Sequence, residues 1–155
     1  MKNTVRVITA TLFALGSVAC QDGSSSLVAP TATSGSSSNI VAAASSLLDA
    51  SWRLVEINGQ KALPNVSVTA TFSGGSALSG SGGCNRYFGS ATVTDGKLAV
   101  SPLGVTKMYC GEAGVADQED AYFKALANVA GFSVVGAELR LNGETGKPTL
   151  VFVRE

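Results

Sequence analysis

Residues 66 to 72 read VSVTATF, with Val66, Val68, Ala70 and Phe72 alternating against Ser67, Thr69 and Thr71. A helix cannot separate apolar from polar residues at a period of two, so this stretch predicts a strand with one buried face. A half-buried strand is not stable alone and needs sheet neighbours and a covering layer. The rest of the chain supplies candidates. SWRLVEI (51–57) alternates with Trp52, Leu54 and Glu56 on one face and Val55 and Ile57 on the other, and Asn58-Gly59 closes it with a turn. RYFGSATV and KLAVS flank Asp95-Gly96, a hairpin signal. FSVVG, ELRLNG and TLVFV read as three further strands, with turns at Gly136 and Asn142-Gly143.

One segment breaks the pattern. DQEDAYFKALANVAG (117–131) places Ala121, Tyr122, Ala125, Leu126 and Val129 at helical spacing. Asp117 offers an N-cap, acidic residues fill the first turn, and Gly131 offers a left-handed stop. Many short strands and a single amphipathic helix predict an α+β fold, an antiparallel, mostly β sheet or partly closed barrel packed on one helix.

The N-terminus reads as an address. Lys2 and Arg6 precede an apolar run from Val7 to Leu15 that is too short to span a bilayer, so residues 1–19 read as a signal peptide. Ser17 and Ala19 suit an ordinary signal peptidase. With Cys20 behind them they also resemble a bacterial lipobox, although Ser17 stands where Leu is usual. Three cysteines decide between these readings, because a secreted chain seldom leaves one unpaired. With Cys20 acylated, Cys84 and Cys110 remain as a pair. Residues 20–46, rich in Ser, Ala and Gly, then form a lipid-anchored tether with a coil reach of roughly 30 Å. A short helix over 40–48, docked on the domain, is the alternative for its end. The domain itself covers 47–155. The expected location is the cell envelope, on the outer membrane or periplasmic face if the host is Gram-negative.

Composition then removes function classes. The formal net charge is zero and no basic cluster follows Arg6, which disfavours nucleic acid as a partner. The chain contains no histidine, so it cannot build His triads, Cys-His dyads or His-ligated zinc. Cys84 thus lacks the usual base for a nucleophile, and two cysteines fall short of a four-ligand metal set. In an oxidising compartment the pair is expected as a disulfide, stabilising the fold by about 3.5 kcal/mol on the chain-entropy model. SGSGG (79–83) lacks the spacing of a dinucleotide loop. Gly143, Gly146, Lys147 and Pro148 imitate a phosphate loop but put proline where Ser or Thr must hold magnesium. Both read as turns and bends. The acids from 117 to 120 are accounted for by the helix N-terminus. Asn85, Arg86 and Tyr87 form a candidate recognition patch, weighed against an Asn that satisfies the backbone of a bend. No catalytic, cofactor-binding or metal-ligating residue is assigned.

In order along the chain, several landmarks resemble the META domain family, with its HslJ-like bacterial members. They are Trp52-Arg53-Leu54, then Gly80 to Gly83-Cys84-Asn85 with Phe88-Gly89, then Thr106-Lys107-Met108-Tyr109-Cys110. Glu119, Tyr122 to Leu126, Leu139-Arg140-Leu141 and Leu150-Val151-Phe152 complete the set. The resemblance implies an antiparallel β fold with a helix, in secreted or envelope-anchored proteins associated with envelope stress. It brings no established catalytic residue or cofactor. The resulting expectation is a non-enzymatic lipoprotein of envelope maintenance or stress tolerance, monomeric in its domain. It would be held to the membrane by lipid and act through contacts with an unidentified envelope protein. A carrier of small apolar ligands or peptides is one alternative. A protease-inhibitor-like module using residues 111 to 116 is another.

Overall fold

The computed structural model describes Ala42, Ala44, Ser45 and residues 47–155. The expected signal peptide (1–19), Cys20 and most of the expected tether (20–46) lie outside the described residues. The elements run β1 (Ala50–Ile57), β2 (Gln60–Lys61), β3 (Thr69–Ser73), β4 (Ala77–Ser81), β5 (Arg86–Thr94), β6 (Lys97–Val100) and β7 (Gly104–Val105). Helix α1 (Val115–Ala127) follows, then β8 (Val129–Val135), β9 (Glu138–Gly143) and β10 (Pro148–Arg154).

The strands close on themselves. The path β1-β3-β4-β5-β6-β8-β9-β10 returns to β1 through the β10–β1 ladder, giving an antiparallel eight-stranded barrel. Strand β2 extends one ladder of β1, and β7 lies against β5. The thinnest seam is β6–β8, joined at Lys97 opposite Gly131.

Alternation fills the interior. Trp52, Phe72, Leu78, Tyr87, Leu98, Leu139, Leu141, Leu150 and Phe152 are all buried, and Tyr122 and Leu126 of α1 join the same core. Each such side chain contributes about 2 kcal/mol of transfer free energy, so apolar burial holds the barrel closed and the helix against it. Helix α1 packs against β1 and β10. Ala42, Ala44, Ser45 and Leu47 are helical, and Leu48 N–H donates to Ala44 O (3.1 Å). Leu47 is fully buried, and its carbonyl lies 3.4 Å from the indole nitrogen of Trp52.

Several expectations need correction. A bulge between Leu54 and Glu56 shifts the register of β1, so Ile57 rather than Glu56 rejoins the buried face. Helix α1 starts at Val115 behind Gly114, whose φ of 79° makes the turn without a side-chain cap. Asp117 therefore sits in the first turn instead of capping it. The helix ends at Asn128, whose backbone N–H bonds back to Ala125 and whose side chain donates to Lys124 O, and Gly131 belongs to β8. Ser79 to Ser81 form part of a strand. A Cβ at Gly80 would lie 2.0 Å from Thr69 O, so glycine there permits a close backbone approach. Asn142-Gly143 closes β9, and the turn lies at 144–146, where Gly146 takes a φ of 75°. The hairpin turns at Asn58-Gly59 and Asp95-Gly96 have positive φ at both positions, as primed two-residue turns require.

Candidate functional site: a strap locked to the barrel wall

Two segments distant in sequence run side by side. Residues 104–110 lie against 84–88, first as the β7–β5 pair, with Val105 opposite Tyr87 and Gly104 opposite Phe88. Thr106 N–H then donates to Arg86 O (3.0 Å), and Arg86 N–H donates to Thr106 Oγ1 (3.1 Å). Asn85 Oδ1 accepts from Thr106 Oγ1 (3.0 Å) and from Met108 N–H (2.7 Å). A disulfide between Cys84 and Cys110 ends the strap.

Behind this strap stands Glu119. Its Oε1 accepts from Asn85 N–H (2.6 Å) and Cys84 N–H (3.2 Å), and its Oε2 accepts from Asn85 Nδ2 (2.6 Å). Glu119 is buried, so these donors replace the water that the carboxylate loses. The approach depends on glycine. A Cβ at Gly82 would lie 2.6 Å from Glu119 Oε1, and Gly83 has a φ of 116° with Val66 pressed against it. By sequence Glu119 is one of the acids of the helix N-terminus. Its side chain instead holds the Cys84-Asn85 corner.

Tyr87 and Tyr122 form a second buried contact. Tyr122 OH donates to Tyr87 OH (2.6 Å), which donates to Thr69 O (2.9 Å). Burial holds both phenols well above their ordinary range, and for Tyr87 the hydrogen bond from Tyr122 offsets part of the rise. Both hydroxyls are thus kept neutral inside the barrel wall.

The structure divides the candidate patch. Asn85 and Tyr87 are 7% and 2% exposed, and of the three only Arg86 faces solvent. The reason is alternation on β5 for Tyr87, and the strap and Glu119 for Asn85. In their place, Phe88 (66%), Met108 (65%) and Tyr109 (93%) stand out from the surface. Cys84 and Cys110 sulfurs and the Glu119 carboxylate lie within 4.8 Å of one another. As a disulfide the sulfurs are not thiolates, and the carboxylate is engaged by N–H groups, so the oxidised cluster is a lock and not a ligand set.

Beside the strap, the outer faces of β3, β4 and β5 floor an open groove of about 880 Å³. Asn65 to Ser67 form one wall and Tyr109 to Glu112 the other. Residues 111–114 are exposed, but Val115 is already helical and buried, which leaves little length for a protruding inhibitory loop.

The comparisons with known proteins agree with this architecture. The family model for the META domain matches residues 45–155. An NMR structure of a protein from Burkholderia xenovorans is 34% identical with a TM-score of 0.61, covering 76% of this chain and 88% of that one. A second NMR structure shares 22% identity at a TM-score of 0.58, over 71% of this chain and 92% of that one. A DUF4847 family protein from Bacteroides vulgatus shows likeness of fold, at 16% identity and a TM-score of 0.50, over 69% and 93% of the two chains. No curated protein matches. The chain belongs to the META domain family.

Proposed function

We propose that this protein is a non-enzymatic, envelope-anchored META domain lipoprotein that acts through protein contacts in envelope maintenance or stress tolerance. The carrying observation is the strap. A disulfide, Asn85 and Glu119 hold it rigid, yet the side chains it presents, Val105 and Met108, with Tyr109 beside them, lie at the surface and not in the core. Exposed aromatic and methionine side chains on a preorganised support have the composition of an interface centre. The polar groups gathered at the lock are committed to each other, and no nucleophile stands beside a base there. This supports binding over catalysis.

The lipid anchor rests on the lipobox-like Ser17-Val18-Ala19-Cys20 and on the pairing of the two other cysteines with each other. Intact mass of the mature protein tests it: a diacylated Cys20 is expected, and an unmodified Cys20 ends that part of the proposal. For the contact itself, a photo-crosslinker replacing Met108 should trap one discrete species in the native envelope. The same probe replacing Lys61 should not. Equal labelling from both positions would sink the reading.

The apolar-carrier alternative finds less support. The barrel interior is filled by Trp52, Phe72, Tyr122 and Phe152, each at most 1% exposed, and the large groove lies outside the wall.

A further inference from the structure

The groove beside the strap has a chemistry of its own. Its floor is a hydroxyl lattice: Thr69 stands opposite Ser81 and Thr71 opposite Ser79, all on the outer face of β3 and β4. Thr69 Oγ1 accepts from Ser81 N–H (3.2 Å) and Ser81 Oγ accepts from Gly83 N–H (3.2 Å). Those bonds use each hydroxyl oxygen as an acceptor and leave its O–H available to donate. Thr71 Oγ1 shares one hydrogen bond with Ser51 Oγ (3.0 Å).

Two aromatic rings and one guanidinium border this floor. Tyr109 is 93% exposed and sits next to the stapled Cys110. The ring of Phe88 lies over Gly104, where a Cβ would come within 2.5 Å of its Cζ, so glycine there gives the ring a place to rest. Arg86 and Glu112 both line the groove.

The ligand class follows from what the floor offers and withholds. Strands β3, β4 and β5 are each paired on both sides here, so a peptide would find no free strand edge to extend. The small floor residues give no pockets for peptide side chains. One guanidinium can pair with one carboxylate of a sugar chain but cannot offset the closely packed charges of a polyphosphate. A volume of about 880 Å³ falls within the range of small-molecule sites. Rows of O–H groups in one groove with two aromatic side chains match a ligand with hydroxyls on its rim and apolar C–H faces, and Arg86 matches a carboxylate. We propose that the groove binds an acidic oligosaccharide, stacked on Tyr109 and Phe88 with its carboxylate on Arg86. This goes beyond the protein-contact reading; Tyr109 borders both surfaces, whereas Val105 and Met108 lie outside the groove.

Titration calorimetry of the full oxidised chain tests it, with tetragalacturonate as the probe, its methyl ester as the uncharged match, and an array of uronate-containing oligosaccharides. Saturable binding of tetragalacturonate is expected, at least about tenfold weaker for the ester. Arg86→Gln should lose about tenfold and erase the difference between acid and ester. Tyr109→Ala should lose about tenfold for both probes. Met108→Asp should leave saccharide binding unchanged while abolishing the crosslink formed by a photo-crosslinker placed instead at the exposed Val105, which separates failure of this proposal from failure of the contact reading. Thermal melts of each variant check that it folds. Absence of saturable binding to tetragalacturonate and to every acidic glycan on the array overturns the proposal. So does binding that Arg86→Gln and Tyr109→Ala leave intact.

Discussion

The Asn85–Glu119 pair has a direction, and exchanging its two chemical groups tests it. In Glu119→Gln, one amide oxygen can still accept from Cys84 and Asn85 N–H. The new NH₂, however, must face Asn85 Nδ2, which now lies 2.6 Å from Oε2. Turning Asn85 over only moves the conflict to Met108 N–H and the Thr106 hydroxyl, both of which need an acceptor. Losing charge assistance on two bonds and stranding a buried donor should cost about 3 kcal/mol. In a domain of this size that lowers Tm by about 10 °C. Asn85→Asp alone sets two carboxylates against each other and should cost about as much or more. The double variant, Asn85→Asp with Glu119→Gln, restores every match. The introduced amide on the helix donates to one oxygen of the introduced carboxylate, and the other oxygen accepts from Thr106 and Met108. Its cost should be about 1 kcal/mol, a coupling of about 5 kcal/mol or more. Urea unfolding of the four oxidised proteins measures the cycle. A double variant destabilised by the sum of the singles would refute the directional network.

Removing the staple with Cys84→Ser and Cys110→Ser together should cost about 3.5 kcal/mol, and an oxidised, denatured chain should show no reactive thiol from these two cysteines. Gly80→Ala should destabilise by more than about 3 kcal/mol, because the new methyl meets the Thr69 carbonyl, whereas Gly131→Ala, with nothing within 4 Å, should stay within about 1 kcal/mol in chemical denaturation. Tyr87 and Tyr122 set an alkaline limit. Their folded values lie above the ordinary 10.0, so above that pH the unfolded chain loses protons first and stability falls. The slope should approach about 2.7 kcal/mol per pH unit for two tyrosines. Tyr87→Phe should roughly halve it, and a pH-independent stability between about 10 and 12 would contradict the burial of the pair.

Much of the barrel is readable because alternation carries it. Val68, Ala70 and Phe72 are buried at a period of two, and the Asp95-Gly96 turn falls where its residue types place it. Closure is not readable, because it depends on β10 returning to β1 across the whole domain. The bulge at Leu54/Glu56 is equally hidden, since nothing local marks a slip that only the partner strands impose. At the site, compartment and parity point to the Cys84–Cys110 bond. The strap was obscured by its short β7, too brief to show a period. Glu119 did leave a signal. Val115, Glu119, Tyr122 and Leu126 fall on one buried helical stripe, and a carboxylate on such a stripe requires donors from elsewhere. An explanation by the helix dipole accounts for charge near the N-terminus, and it does not account for burial.

Residues 104–110 should be held as firmly as the barrel itself, and amide hydrogen exchange at Met108 measures this directly. Its N–H donates to Asn85 Oδ1, inside the lock. In the oxidised chain its opening free energy should lie within about 1 kcal/mol of that of Leu141 in β9, and reduction of the disulfide should lower it first. Exchange of Met108 at the rate of an unstructured peptide, in the oxidised chain with Leu141 fully protected, would contradict the account.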